Sequence, residues 1–215
     1  MRITTQMWLQ LLEQHKAIAV IRCGDSDRAC KMANAAAAGG IKLIEITWNS
    51  EDPKAIVAQL RDELPHCIIG AGTILNLDCL KDAATAGAQF AFAPHFDPDL
   101  LDAARDLYQI PFVPGVFSPT EAVNAWQYGA KAVKVFPIKS LGGAEYIKCL
   151  KAPLNQIAPI PTGGITIDNA RSMIDAGAIA VGISSNLFPQ QAIAAEDWAS
   201  ITERTRELLL RLYSK

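Results

Sequence analysis

Apolar and polar positions along this chain fall into blocks that recur at near-regular intervals. Eight short stretches are rich in β-branched and other apolar residues. They are AIAVIR (17–22), KLIEIT (42–47), HCIIGAG (66–72), QFAFAP (89–94), IPFVPG (110–115), KAVKVFP (131–137), IAPIPT (157–162) and AIAVGIS (178–184). Successive starts lie 21 to 26 residues apart. Blocks of this length fit strands better than helices. Their near-continuous apolar character predicts burial on both faces, as in a parallel sheet covered by helices.

The intervening segments read as helices. DSDRACKMANAAAAGG opens on Asp or Ser caps and stops at Gly39-Gly40, and EDPKAIVAQLRDEL starts with acids and Pro53 in its first turn. NLDCLKDAATAGA runs from Asn76 to Gly87. SPTEAVNAWQYGA has Ser118 as cap, Glu121 three residues on, and Gly129 as stop. TIDNARSMIDAGA has Thr166 or Asp168 as cap and Gly177 as stop. Four helices thus end on a glycine just before the next strand, where a left-handed residue closes the last turn. Segment 5–15 reads as an additional N-terminal helix, and 190–213 as one last helix.

A repeating strand-and-helix unit occurring eight times predicts a (β/α)8 TIM barrel, formed as a single domain over 1–215. Seven or fewer units in an open sheet are the alternative. The composition agrees with a globular chain: half the 215 residues are hydrophobic, a fifth are charged, and the net charge is -2. That balance argues against a nucleic-acid or membrane-surface binder, while leaving room for a local anion pocket. The cysteines, Cys23, Cys30, Cys67, Cys79 and Cys149, are odd in number and scattered, and His15, His66 and His95 form no ligand motif, so no metal site is expected. Neither a signal-peptide core nor a membrane-length apolar run is present, which predicts a soluble cytoplasmic protein.

Barrel enzymes act at the C-terminal ends of their strands, so polar groups there are the candidate chemistry. Period-two counting puts Glu45 and Thr47 on one face of their strand, and Ala132, Lys134 and Phe136 on one face of theirs. If Val133 and Val135 meet the helices, Lys134 points into the barrel. Burial disfavours an ammonium ion, and a neutral amine can attack a carbonyl to form a Schiff base. A neighbouring carboxylate such as Glu45 can move the protons that this chemistry requires. The competing reading makes Glu45 and Lys134 a buried ion pair that only stabilises the barrel. PTGGIT (161–166) precedes a predicted helix, so Gly163 and Gly164 could expose N–H groups to a phosphate or carboxylate, with Ser184 and Ser185 beside them. The competing reading is ordinary turn glycines. Arg22, at the first strand's end, calls for an acidic partner: Glu45, a substrate carboxylate, or both. Thr73 is a further carboxylate ligand candidate. Lys139 is placed either on the surface or at the mouth.

These stretches resemble the 2-keto-3-deoxy-6-phosphogluconate (KDPG) and 4-hydroxy-2-oxoglutarate (KHG) aldolase family. The similarity spans roughly residues 5–190 and is carried by AVIR (19–22), IEITWNS (44–50), IGAGTIL (69–75), PGVFSPTEA (114–122), KVFP (134–137), PTGGI (161–165) and AVGISSNL (180–187). The resemblance implies a class I aldolase, commonly trimeric, that splits 2-keto-4-hydroxy acids reversibly into pyruvate and an aldehyde. It implies Lys134 as the imine-forming residue and Glu45 as proton-transfer group. It also implies Thr73 at the pyruvate carboxylate, Gly163, Gly164 and Ser184 or Ser185 at a phosphate, and Arg22 near the pocket. The expected partners are a 2-keto acid substrate and two further copies of the chain in a homotrimer, with no metal or organic cofactor. Two positions depart from the pattern. Asn49 stands where members carry an arginine that binds the substrate's acid group, and it cannot form the bidentate ion pair. GISS (182–185) replaces the usual GxGS. The rival readings are another phosphosugar enzyme on the same barrel, or a silent barrel that binds a phosphorylated metabolite.

Overall fold

Strands form at the predicted blocks: β1 (Ala17–Ile21), β2 (Leu43–Thr47), β3 (Ile68–Gly72), β4 (Ala91–Phe92), β5 (Phe112–Val113), β6 (Gly115–Val116), β7 (Ala132–Val135), β8 (Ala158–Pro161) and β9 (Val181–Ile183). The computed structural model describes residues 3–214. All pairings between these strands are parallel. One sheet has the order β5-β4-β3-β2-β1-β9, the other β6-β7-β8.

The block at 110–115 is where pattern and structure part. One strand is predicted there, and two are present, separated by Pro114. Proline has no N–H to give a ladder, so pairing is interrupted at that residue. β5 pairs back to β4 and β6 forward to β7. Around the interruption, Gly115 N donates to His95 O at 3.1 Å. At the opposite seam, Ile179 N donates to Pro159 O at 3.0 Å, and Thr162 bridges Gly182 in parallel. The result is an α/β fold with curled parallel sheets.

Strand alternation divides the core in two. Ile18, Val20, Leu43, Phe90, Phe92, Val113, Ala132 and Ile160 cluster on the inside of the curl. Ile44, Ile46, Val133 and Val135 belong to the larger cluster shared with the outer helices. Helix Thr5–His15, capped by Thr4 Oγ1 accepting from Met7 N, inserts Trp8 and Leu12 into the inner cluster. There Trp8 stacks on Phe90 with ring centroids 4.5 Å apart and meets Phe92 edge-on at 6.3 Å.

The glycine stops behave as expected: Gly40, Gly87, Gly129 and Gly177 all have positive φ. Ser118 and Glu121 form the expected capping box. Other boundaries differ. The predicted C-terminal helix is two, Gln190–Ala194 and Trp198–Tyr213, parted where Glu196 turns left-handed and Asp197 caps the second by accepting from Ser200 N. Helix Ala170–Asp175 starts later than its predicted caps, because Thr166 and Asn169 bond each other's backbone N–H across a preceding turn. Helices Pro98–Ala103, which continues as a π-helix over Ala104–Tyr108, and Ala144–Lys151 carry none of the glycine stops that marked the others. The first ends in left-handed Gln109 instead.

Candidate active site

β2 and β7 bring Glu45 and Lys134 together inside the curl. Their outward neighbours, Ile44 and Ile46 on β2 and Val133 and Val135 on β7, occupy the helix side, so period-two alternation turns both charged side chains inward. Lys134 Nζ lies 3.7 Å from Glu45 Oε1, with the two side chains only 6% and 2% exposed. This spacing suits a charge interaction but exceeds hydrogen-bond length. Glu45 Oε1 is buried without a hydrogen-bond partner among the described residues. Leaving such an oxygen unpaired is costly in a purely structural ion pair. Aromatic rings flank the amine: its Nζ is 5.8 Å from the Phe92 centroid and 5.5 Å from that of Phe136.

Gly72 creates the space that the carboxylate occupies. It stands opposite Thr47 in the β2–β3 register. A Cβ at Gly72 would overlap Glu45 Oε1 and Cδ and approach Cγ to 2.7 Å. Only a residue without a side chain lets Glu45 lie across β3 and face Lys134. Next in the chain, Thr73 is left-handed with φ 58°, an unfavourable state for a β-branched residue. Such strain persists where surrounding bonds hold it, and here Trp48 N donates to Gly72 O at 2.7 Å while Ile74 N donates to Phe92 O at 3.1 Å.

Other candidates are placed unevenly. Arg22 is exposed and makes no ion pair with Glu45 among the described residues, so the proposed Arg22–Glu45 bond is absent and Arg22 needs no buried partner. Asn49 is exposed in the turn after β2, and Trp48 packs toward the helix-side core. Gly163 and Gly164 are both left-handed, with φ 85° and 93°. They lead into the turn before helix Ala170–Asp175 and do not abut the helix as predicted. Ser184 is half-buried and Ser185 exposed in the loop after β9.

Several supporting residues escaped the motif reading. Asn186 Oδ1 accepts from Ile167 N at 2.9 Å, and its carbonyl accepts from Arg204 Nε at 3.0 Å, tying the glycine turn to the loop after β9. Ser50 Oγ lies 3.2 Å from Thr47 Oγ1 and accepts from Cys23 N at 3.2 Å, joining the exits of β1 and β2. Gly72 had a signal in the sequence, since two glycines flank one alanine at a strand end. Asn186 and Ser50 had none, because the bonds that tie them to other segments, from Ile167, Arg204 and Cys23, come from far along the chain.

A lysine and a carboxylate buried at neighbouring depths, one oxygen unsatisfied and aromatic walls beside them, form a site suited to covalent carbonyl chemistry with local proton transfer. Residues 9–204 match the model of the KDPG and KHG aldolase family. This chain belongs to that family. Among its KDPG and KHG aldolase relatives, the KHG/KDPG aldolase of Escherichia coli strain K12 is 34% identical over 197 residues, which cover 92% of each chain. The 2-dehydro-3-deoxy-phosphogluconate aldolase of Dickeya dadantii is 32% identical over 198 residues, again 92% of each. The KDPG aldolase of Legionella pneumophila, whose crystal structure holds pyruvate as a covalent carbinolamine intermediate, superposes with a TM-score of 0.86 at 30% identity, covering 93% of this chain and 97% of that one.

Proposed function

We propose that Lys134 and Glu45 carry out a class I aldolase reaction through a Schiff base. The chain is an aldolase that cleaves KDPG or KHG to pyruvate and an aldehyde. The observation that carries the mechanism is the buried 3.7 Å Lys134–Glu45 pair with its unsatisfied oxygen. The covalent carbinolamine of the Legionella relative supports it.

In this reading, neutral Lys134 Nζ attacks C2 of the keto acid and forms a carbinolamine. Glu45 delivers the proton with which the C2 hydroxyl leaves as water. The protonated imine then withdraws the electron pair of the C3–C4 bond, while Glu45 takes the proton of the C4 hydroxyl. The aldehyde departs as glyceraldehyde 3-phosphate or glyoxylate. The enamine is protonated at C3, and water attacks C2 to release pyruvate and regenerate the amine. Thr73 and Arg22 face the carboxylate end in this assignment. Gly163, Gly164, Ser184 and Ser185 face the distal acid, and Asn49 replaces the ion-pairing arginine at the entrance with a neutral donor.

The two sheets are read as arcs of one (β/α)8 barrel forming a single domain over 1–215. The Gly115–His95 hydrogen bond and the Thr162–Gly182 bridge support that closure. A homotrimer is proposed on the family resemblance, with exposed Leu75, Leu77 and Phe117 as apolar surface available for burial. A cytoplasmic setting fits five free thiols. No helix among the described residues is long and apolar enough to cross a membrane.

Borohydride reduction in the presence of pyruvate tests the mechanism. The expected product is a stable adduct on Lys134, absent from Lys134→Ala. A folded wild-type protein that captures no pyruvate sinks the Schiff-base assignment.

A further inference from the structure

Lys139 follows β7 and is pinned at its start to the glycine turn, where its backbone N–H donates to Gly163 O at 3.0 Å. Its side chain then runs across Gly164. A Cβ at Gly164 would overlap Lys139 Cβ and lie 3.2 Å from Cγ and 3.1 Å from Cδ, so the path of the lysine stem depends on a bare glycine. Lys139, Gly164, Thr166, Asn169, Ser185 and Asn186 line one pocket at this point.

The charge balance of this pocket is one-sided. No carboxylate lines it, and Lys139 forms no ion pair among the described residues. Asp168, in the turn that follows, is engaged by Arg211 at 2.7 Å. The side-chain oxygens of Asn169 and Asn186 already accept from Thr166 N and Ile167 N. What remains in the lining is exposed Lys139, the Thr166 and Ser185 hydroxyls and a left-handed glycine turn. That set of donors suits an anion with several acceptor oxygens.

We propose that Lys139 binds the phosphate monoester at the distal end of the substrate and gives this chain its preference for phosphorylated over unphosphorylated keto acids. The proposal rests on the aldolase reading above. The glycine turn borders the reacting lysine: a Cβ at Gly163 would lie 3.0 Å from the ring of Phe136, which itself flanks the Lys134 amine. Asn49 supplies no cation in the turn after β2, whereas Lys139 supplies one in the segment after β7. Lysine acts here as a point charge on a flexible stem, which suits a phosphate reached through an open pocket.

The test compares wild type, Lys139→Met and Lys139→Arg for kcat and KM on KDPG and on 4-hydroxy-2-oxoglutarate. In Lys139→Met the ratio of kcat/KM for the phosphorylated substrate over the unphosphorylated one falls on the order of tenfold, as for loss of one charge-assisted hydrogen bond. The loss is in KM for the phosphorylated substrate, and Lys139→Arg regains most of it. Calorimetric titration with inorganic phosphate weakens in parallel. An unchanged ratio, or an equal loss on both substrates, overturns the assignment. Failure of the aldolase reading is distinguishable, because wild type would then trap no pyruvate under borohydride. In that event the phosphate titration alone decides: binding that is the same in wild type and Lys139→Met refutes the role of Lys139.

Discussion

Placing a single methyl group at Gly72 is the sharpest perturbation of this site. Gly72 is not among the left-handed glycines, so its backbone accepts alanine and any effect comes from contact. The new Cβ would overlap Glu45 Oε1 and Cδ and approach Cγ to 2.7 Å. Ordinary carbon contacts begin near 3.5 Å, so the carboxylate must swing aside by more than about 1 Å. It has little room, because Glu45 is 1% exposed. Overpacking of this kind costs about 1–3 kcal/mol, which for a chain of this size is a fall in Tm of roughly 2–12 °C. A displacement of about 1 Å at a reacting group costs on the order of a hundredfold in rate. Gly72→Ala is therefore expected to fold, melt a few degrees lower and lose about two orders of magnitude in kcat, measured as pyruvate release. The route through Glu45 is checked in a Glu45→Gln background, where alanine at 72 should add little further loss, since the two changes remove one function. A Gly72→Ala enzyme with kcat within about twofold of wild type, or losses that multiply in the double variant, would refute the positioning argument.

Glu45→Gln keeps the shape of the side chain but removes its proton transfer, so kcat should fall on the order of 10²–10⁴-fold while slow borohydride trapping on Lys134 persists. Trapping lost outright would mean that Glu45 is needed for the first attack as well. The thiols should separate by environment. Burial first, then the carboxylates of Glu63 and Asp27, pushes the Cys30 thiol up to about 11, so at pH 7 only about 10⁻⁴ of it is thiolate. Burial raises Cys67 in the same direction, whereas Cys149 is exposed. Iodoacetamide followed by peptide mapping should find Cys149 modified well before Cys30 and Cys67. Labelling of Cys30 should speed up as pH rises, for as long as the fold survives. Equal labelling of Cys30 and Cys149 at neutral pH would contradict the burial assigned to Cys30.

The linear pattern was enough to place the strands, because burial on two faces demands apolar runs, and enough to orient them, because side chains alternate with period two. That is why Glu45 and Thr47 could be put on one face, and Lys134 turned inward on the condition that Val133 and Val135 meet the helices. It was also enough for the helix stops at Gly40, Gly87, Gly129 and Gly177, which are local conformational requirements met by one residue type. Boundaries set by absent hydrogen-bond donors or reciprocal turn bonds were less legible: Pro114 splits a predicted strand, and the Thr166–Asn169 exchange delays a helix. The relations between elements could not be read from the chain at all. Facing inward does not say how deep a side chain reaches or what it meets, and those depend on register between strands and on which positions lack a side chain. The 3.7 Å approach of Lys134 to Glu45, the room left by Gly72, the exposure of Arg22 and the brace at Asn186 all arise from packing between segments far apart in the chain. Periodicity selects a face locally, while distance and electrostatic environment are settled only when the elements close on one another.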